Sequence, residues 1–262
     1  MPDRKHIPGK FVWFELASSD PGKARPFYGE VLGWKAVEFP FGGATYEMIF
    51  AGETPDTMVG GYAPSRGAVG RSRWIASVSV ADVDAAAAAA IAGGGTVLEP
   101  PHDLPAVGRA ATIADPGGAE LALFRGATGD PPDVESTPPG RFVWNELHTT
   151  DPEGAAAFYG KVVGFSHRSV PSPAGPYRIL SMGGVDRGGI TGHLPPGASP
   201  HWLPYVHVDD VDATVARARK LGARIAMEPE NAMDIGRLAV LEDPTGAALA
   251  LIKPRPRARS DR

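Results

Sequence analysis

Glu146 and His148, two residues apart in FVWNELH, are the side chains of this sequence best suited to acid–base or metal chemistry. In an extended strand, side chains alternate faces, so Trp144, Glu146 and His148 share one face. The equivalent run FVWFELA puts Trp13, Glu15 and Ala17 on the matching face. A carboxylate beside an indole in apolar surroundings resists ionisation, which suits a general acid or base and makes Glu146 and Glu15 candidates. The competing reading is that each Glu pairs with an arginine, Arg109 or Arg237 being the repeated choices, and only ties the fold together. His148 has no such twin, because its counterpart is Ala17. A Glu-x-His pair has the separation of two metal ligands, or of a base and the acid that orients it.

Other candidates are aromatic. Tyr46 and Tyr177 recur at equivalent places, as do Trp74 and Trp202, and with Trp13 and Trp144 they are expected to line two apolar pockets or to pack as core. Such pockets suit planar or hydrophobic small molecules. His193, His201 and His207 crowd one stretch and read as surface or boundary histidines, with His207 turned to helices or solvent. His6, His102 and His167 have no supporting neighbours. The glycines at Gly93–Gly95 follow a helix instead of preceding one, which argues against a phosphate loop. No Gly-x-Ser-x-Gly element is present.

These residues need elements to hold them, and the sequence repeats those elements. Phe11–Trp34 (FVWFELASSDPGKARPFYGEVLGW) returns as Phe142–Phe165, DVDA at Asp82 returns at Asp210, and DPGGAELAL at Asp115 returns as DPTGAALAL at Asp243. Extended runs at Phe11–Leu16 and Phe142–Leu147 lead into helices opened by Asp20-Pro21 and Asp151-Pro152. There Asp caps the first turn, and Pro is tolerated at the first helical position. These helices should close near Gly33 and Gly164. Strands follow at Thr45–Phe50 and Tyr177–Met182, with Gly60-Gly61 and Gly188-Gly189 read as hairpin material. The plan then recurs: strands at Trp74–Val80 and Trp202–Val208, helices from Asp82 and Asp210 to Gly94 and Gly222, and strands at Ala110–Ile113 with Glu120–Phe124 and Leu238–Leu241 with Ala248–Ile252. The last two pairs flank the Asp-Pro turns. Residues 127–140, rich in Pro, Gly, Ser and acids, read as an exposed connector.

Composition sets bounds. The 262 residues, 43% of them apolar, are enough for two ordinary cores. A formal charge of -4 with no basic face gives no reason to expect nucleic acid. Only Arg4-Lys5 and the tail from Lys253 are locally basic. With no cysteine, disulfides, thiolate catalysis and Cys-type zinc sites are excluded. No apolar run approaches the roughly 20 residues that span a bilayer, and the first residues lack a signal-peptide core, so no membrane partner and a cytoplasmic location are expected.

The pattern DP-x(5)-FYG, then V-x-DVDA, then GR followed by DP-x-GA-x-LAL, resembles the vicinal oxygen chelate superfamily, which includes glyoxalases, bleomycin resistance proteins and extradiol dioxygenases. The resemblance extends over nearly the whole chain and is closest to the tandem two-domain glyoxalase-like type. It implies an α+β fold of four βαβββ modules paired into two half-open-barrel domains: residues 8–126, a linker at 127–140, residues 141–254, and a basic tail at 255–262. It also implies metal ligands on the concave faces. Counting back about seven residues from Asp20 and Asp151 places the first ligand at Trp13 and Trp144, and the last-strand ligand falls on Ala122 and Ala250. The first-strand ligand of the second module falls on Ala76 and Pro204, and the remaining one near Gly60–Tyr62 or Gly188–Thr191. Trp, Ala and Pro side chains supply no metal donors.

The sequence therefore predicts a protein that binds a small organic molecule in concave, largely apolar pockets, with the family's usual metal ligands replaced. One alternative is a lyase, isomerase or dioxygenase using a relocated site at Glu146 and His148, where a divalent metal would be the cofactor if one binds. Another is a non-catalytic scaffold. A homodimer is allowed, and whether modules pair within or between halves is left open.

Overall fold

The computed structural model describes residues 4–41, 44–65, 72–173, 175–232 and 235–255; residues 256–262 of the basic tail lie outside them. The first half contains β1 (Phe11–Ser18), α1 (Pro21–Leu32), β2 (Lys35–Phe41), β3 (Ala44–Phe50), β4 (Met58–Pro64), β5 (Arg73–Ser79), α2 (Val83–Ala92), β6 (Thr96–Leu104), β7 (Gly108–Ala114) and β8 (Glu120–Gly126). The second repeats it with β9 (Phe142–His148), α3 (Pro152–Val162), β10 (Ser166–Val170), β11 (Tyr177–Met182), β12 (Val185–Thr191), β13 (His201–His207), α4 (Val211–Lys220), β14 (Arg224–Ala232), β15 (Gly236–Glu242) and β16 (Ala248–Pro254). This is the α+β plan of four βαβββ modules.

Each helix starts where its aspartate predicts. Asp20, Asp82, Asp151 and Asp210 accept from the backbone N–H three residues on, satisfying one of the free donors of the first turn. The strands form two eight-stranded sheets, ordered β2-β3-β4-β1-β5-β8-β7-β6 and β10-β11-β12-β9-β13-β16-β15-β14. The two modules of each half meet where β1 runs antiparallel to β5 and β9 to β13, so pairing is within halves.

One face of each sheet carries the helices, and these two faces share a single buried cluster that runs from Phe14 and Leu16 through Leu147 and Tyr159 to Leu251. Phe14 stacks on Phe142 with ring centroids 3.8 Å apart, and Phe11 packs on Trp202 at 5.6 Å. Strict alternation would put Phe11 on the same face as Trp13. A register shift between them, against β5, instead lets Phe11 join the core while Trp13 faces out.

The halves also cross-link through buried polar groups. The Tyr159 hydroxyl donates to Asp115 Oδ2 at 3.1 Å and accepts from Trp202 Nε1 at 3.0 Å. Asp115 Oδ1 accepts from the N–H groups of Gly117 and Ala119, shaping the Asp-Pro turn. Burial pushes the Asp115 carboxyl up, and its backbone and Tyr159 hydrogen bonds oppose that.

The connector is exposed over most of its length but pinned at two acids. Asp130 is buried and accepts from Ile7 N–H and Ser79 Oγ. Asp133 takes a bidentate pair from Arg187 and lies 3.1 Å from Lys10 Nζ. His207 does not turn to the helices or to open solvent; its Nδ1 lies 2.6 Å from Thr137 O of this connector.

Gly60-Gly61 and Gly188-Gly189 are not hairpin turns. They lie inside β4 and β12, beside β1 and β9. A Cβ on Gly61 would run into the Tyr46 hydroxyl, and one on Gly189 into the Tyr177 hydroxyl. Glycine is required there because a tyrosine from the next strand lies across the backbone.

Candidate functional site

On the face away from the helices, strand pairing sets which side chains meet. In the first half, Trp13 lies opposite Ser77, Ser77 beside Ala122, and Glu15 between Ile75 and Gly61. In the second half, Trp144 lies opposite Tyr205, Tyr205 beside Ala250, and Glu146 between Leu203 and Gly189. The sequence count that put a second-module position at Ala76 and Pro204 is one residue off. Ala76 pairs with Phe14 and Pro204 with Asn145, on the buried helix side; their neighbours on the other face are Ile75 and Ser77 in the first half and Leu203 and Tyr205 in the second.

Trp13, Glu15 and Tyr46 are brought together. Trp13 Nε1 donates to the Tyr46 hydroxyl at 3.1 Å, which donates on to Glu15 Oε2 at 3.1 Å. Burial, and then the charge of Glu15, pushes the Tyr46 phenol far up, so it stays a neutral donor. Trp144 Nε1 likewise donates to the Tyr177 hydroxyl at 2.9 Å. Tyr177 faces Glu146, and the Tyr205 hydroxyl donates to Glu146 Oε1 at 3.1 Å. Burial first, then Glu146, raises both of these phenols.

Trp74 and Trp202 do not line these sites. Both are buried on the helix side, where their Nε1 atoms donate to Tyr28 and Tyr159. Their period-two partners across β1 and β9 are Leu16 and Leu147, which are core residues, and this fixes the face they share. The suggested Glu–Arg ties are also not formed as proposed. Arg109 pairs with Asp84 and Asp103, and Arg237 with Asp212, all at the sheet–helix margin.

His148 belongs with Glu146: its Nε2 lies 2.9 Å from Glu146 Oε1, with both side chains largely buried. That short approach lacks the alignment of a hydrogen bond, since Nε2 is buried without a bonding partner among the described residues. Nδ1 lies 2.8 Å from His193 O. His201, read from sequence as a boundary residue, stacks on His148 with centroids 5.1 Å apart and planes 8° apart. Burial lowers its pKa, so its neutral form is favoured.

Sequence reasoning also missed the outer edge of the first open face. Val37 pairs with Met48 and Phe39 with Tyr46, placing them on the face of Glu15 and Gly61. With Phe50, Pro55 and Met58 they line an open groove of about 440 Å3, rimmed by the Lys35–Glu53 ion pair. Val37, Phe39 and Met58 are exposed. The alternation in KAVEFPF was the available signal. The second half has Arg168, paired with Asp186, in the place of Val37, so its edge is polar.

A family model described as "Glyoxalase/Bleomycin resistance protein/Dioxygenase superfamily" matches residues 10–123, and one described as "Glyoxalase-like domain" matches residues 144–252. The chain is 36% identical over 265 residues to "Putative glyoxylase CFP32" of Mycobacterium tuberculosis, covering 98% of this chain and 99% of that one. It is 31% identical to "Anthracycline biosynthesis protein DauV" of a Streptomyces species, covering 96% and 95%. Among solved structures, the Mn(II)-bound glyoxalase from Novosphingobium aromaticivorans matches with a TM-score of 0.63 at 18% identity, covering 97% of this chain and 83% of that chain. The dioxygenase LapB from Pseudomonas sp. KL28 matches with a TM-score of 0.60 at 15% identity, covering 98% and 96%. At such identities the likeness is one of fold.

A divalent ion at the usual positions would need several N or O donors converging on one point. Trp13, Ile75, Ser77, Ala122 and Gly61 offer one hydroxyl, and Trp144, Leu203, Tyr205, Ala250 and Gly189 offer one phenol. Among the described residues no three His, Asp or Glu side chains are placed to hold a metal. The residues present at these positions do not fit the ion.

Proposed function

Because the chain belongs to the glyoxalase/bleomycin resistance protein/dioxygenase superfamily, and its open faces carry aromatic and small residues where metal donors would stand, we propose that it binds a planar small organic molecule on the open face of the first half. The observation that carries this is the groove beside Tyr46. It has an apolar floor of Val37, Phe39, Met48 and Phe50, and Phe39 pairs across the strands with Tyr46, whose hydroxyl joins Trp13 to Glu15. The floor would take an aromatic face, and Glu15 would accept a hydrogen bond from a hydroxyl or amine, which fixes orientation. Relatives named for anthracycline biosynthesis, 31% and 30% identical, favour a fused-ring ligand. Among the described residues no helix is long and apolar enough to cross a membrane.

The test is a titration with doxorubicin, an anthracycline, followed by its fluorescence, with Phe39→Asp and Glu15→Gln alongside the native chain. Saturable binding weakened at least tenfold by each change is expected, about 1.4 kcal/mol or more. Absence of saturable binding up to the solubility limit refutes the proposal. A second reading, an enzyme, rests on one observation: Glu146 and His148, paired on one strand face by the sequence, lie 2.9 Å apart in the other half.

A further inference from the structure

The two halves differ most tellingly at one position of the face away from the helices. Aligned on Trp74 and Trp202, Ser77 in β5 is the repeat-mate of Tyr205 in β13. Strand pairing agrees: Ser77 lies opposite Trp13 and beside Ala122, and Tyr205 lies opposite Trp144 and beside Ala250. In the second half Tyr205 packs with Leu203, Ala250 and Ile252 as a small core of its own, and its hydroxyl donates to Glu146 Oε1 at 3.1 Å. Those four residues are buried, whereas their counterparts Ile75, Ser77, Ala122 and Phe124 are all partly exposed. Both halves therefore set a branched aliphatic, an alanine, a Trp and a Glu around this position, and residue 77 lacks the phenol that residue 205 puts among them. The margins follow suit. Val240 of the second half is replaced by Thr112, whose hydroxyl donates to Glu99 at 2.9 Å, and Ala248 by Glu120, ion-paired to Arg73 at 2.8 Å. One face is closed by its own apolar side chains; the other has the same walls, without that ring, inside a polar rim, which is the anatomy of a small-molecule site.

We propose that Tyr205 is a built-in occupant of the second half, and that the first half, with Ser77 in the same place, takes an aromatic hydroxyl compound from solution in its stead. The ligand ring lies over Ser77 and Ala122 against Trp13, and its hydroxyl donates to Glu15 as Tyr205 donates to Glu146. A carboxylate accepts several hydrogen bonds, so the bond from the Tyr46 hydroxyl to Glu15 Oε2 is kept. Position 77/205 is then the specificity determinant: it sets which half binds, limits binding to one molecule per chain, and selects a ring that carries a donor. An aryl ether of the same shape is rejected, because it turns an acceptor toward the carboxylate and leaves that oxygen unpaired. The proposal rests on the reading that the open face of the first half admits a planar molecule. That reading places the ring system in the groove on β2, whereas Ser77 stands on β5, on the opposite side of β1.

The experiment titrates the full chain with 2-naphthol, followed by its fluorescence, and with 2-methoxynaphthalene as the probe that lacks the donor. The native chain should bind 2-naphthol saturably, one molecule per chain, and the ether more weakly by about tenfold or more, the usual effect of losing a hydrogen bond to a charged group. Ser77→Tyr supplies the filler from within and should weaken 2-naphthol by about tenfold or more, while Ser77→Ala, which adds no bulk, should leave it within about twofold. The comparison of the two probes needs only the native chain, so it stands even where a Ser77→Tyr chain fails to fold. Equal affinity for the ether, two molecules of 2-naphthol per chain, or undiminished binding by folded Ser77→Tyr would each overturn the proposal. Absence of saturable 2-naphthol binding would overturn it too, and doxorubicin binding weakened by Phe39→Asp in that case would leave the groove on β2 standing alone.

Discussion

Tyr159→Phe removes one oxygen from the centre of the molecule and tests whether the two halves are held together by buried polar contacts. The Tyr159 ring is fully buried, and its hydroxyl serves two partners on different elements: Trp202 Nε1 at 3.0 Å and Asp115 Oδ2 at 3.1 Å. Both partners are themselves buried, at 4% exposure each. Phe fills the same ring volume, so no cavity contributes; the loss is that of an indole N–H and a carboxylate oxygen left without a partner. Each such orphan costs about 1–3 kcal/mol, so the variant should be destabilised by about 2–6 kcal/mol. Urea unfolding at pH 7, followed by tryptophan fluorescence, reads this as a lower midpoint. The deficit should also depend on pH. Burial already raises the Asp115 pKa, and Phe removes a hydrogen bond that lowers it. A raised folded-state pKa means the folded chain binds its proton more tightly, so stability falls as pH rises through that window. The deficit of Tyr159→Phe should therefore shrink as pH falls and the carboxyl becomes neutral. A loss under about 0.5 kcal/mol at pH 7, or a deficit that grows toward acid, refutes the reasoning.

The other expectations are narrower. Gly189→Ala puts a methyl against the Tyr177 hydroxyl and should break its 2.9 Å bond from Trp144, costing roughly 1–3 kcal/mol in urea unfolding; an unchanged midpoint would show that the tyrosine can move freely. Asn145, 1% exposed, has no partner for Nδ2 or Oδ1 among the described residues, and its repeat-mate is Phe14. Asn145→Leu should thus be neutral or stabilising by up to about 2 kcal/mol, and a loss above about 1 kcal/mol would show that the amide is paired. The Arg187 hydrogen bond, and after it Lys10, holds Asp133 down at about 2, below its ordinary 3.8. A depressed carboxyl contributes stability above the ordinary value and loses it as pH falls toward the folded one. Asp133→Asn should therefore flatten the fall in Tm between pH 4 and pH 2, by under about 1 kcal/mol because the Asp133 side chain is 44% exposed and solvent screens it. An acid limb as steep as that of the native chain would contradict this.

The residues themselves fixed the helices, because a capping aspartate and a proline act within four positions and need nothing distant. They also fixed the pairing of Glu146 with His148 on one strand face, since period-two alternation is local. The fold class was legible because the repeated DP, FYG and DVDA segments carry the same local instructions twice. Tertiary structure decided what depends on neighbours far along the chain. Trp74 and Trp202 carry the same alternation as the open-face residues, and only the register of β5 and β13 against β1 and β9 turns them into the core. The same antiparallel register brings His201 opposite His148 and Tyr205 opposite Trp144, a meeting across more than fifty positions that no local pattern encodes. The Gly-Gly pairs show the physical reason most plainly. In sequence they read as turns, because glycine permits turns; in the fold they are strand residues whose missing side chains make room for Tyr46 and Tyr177. Local preference chooses the element, and close packing between elements chooses the face, the register and the site.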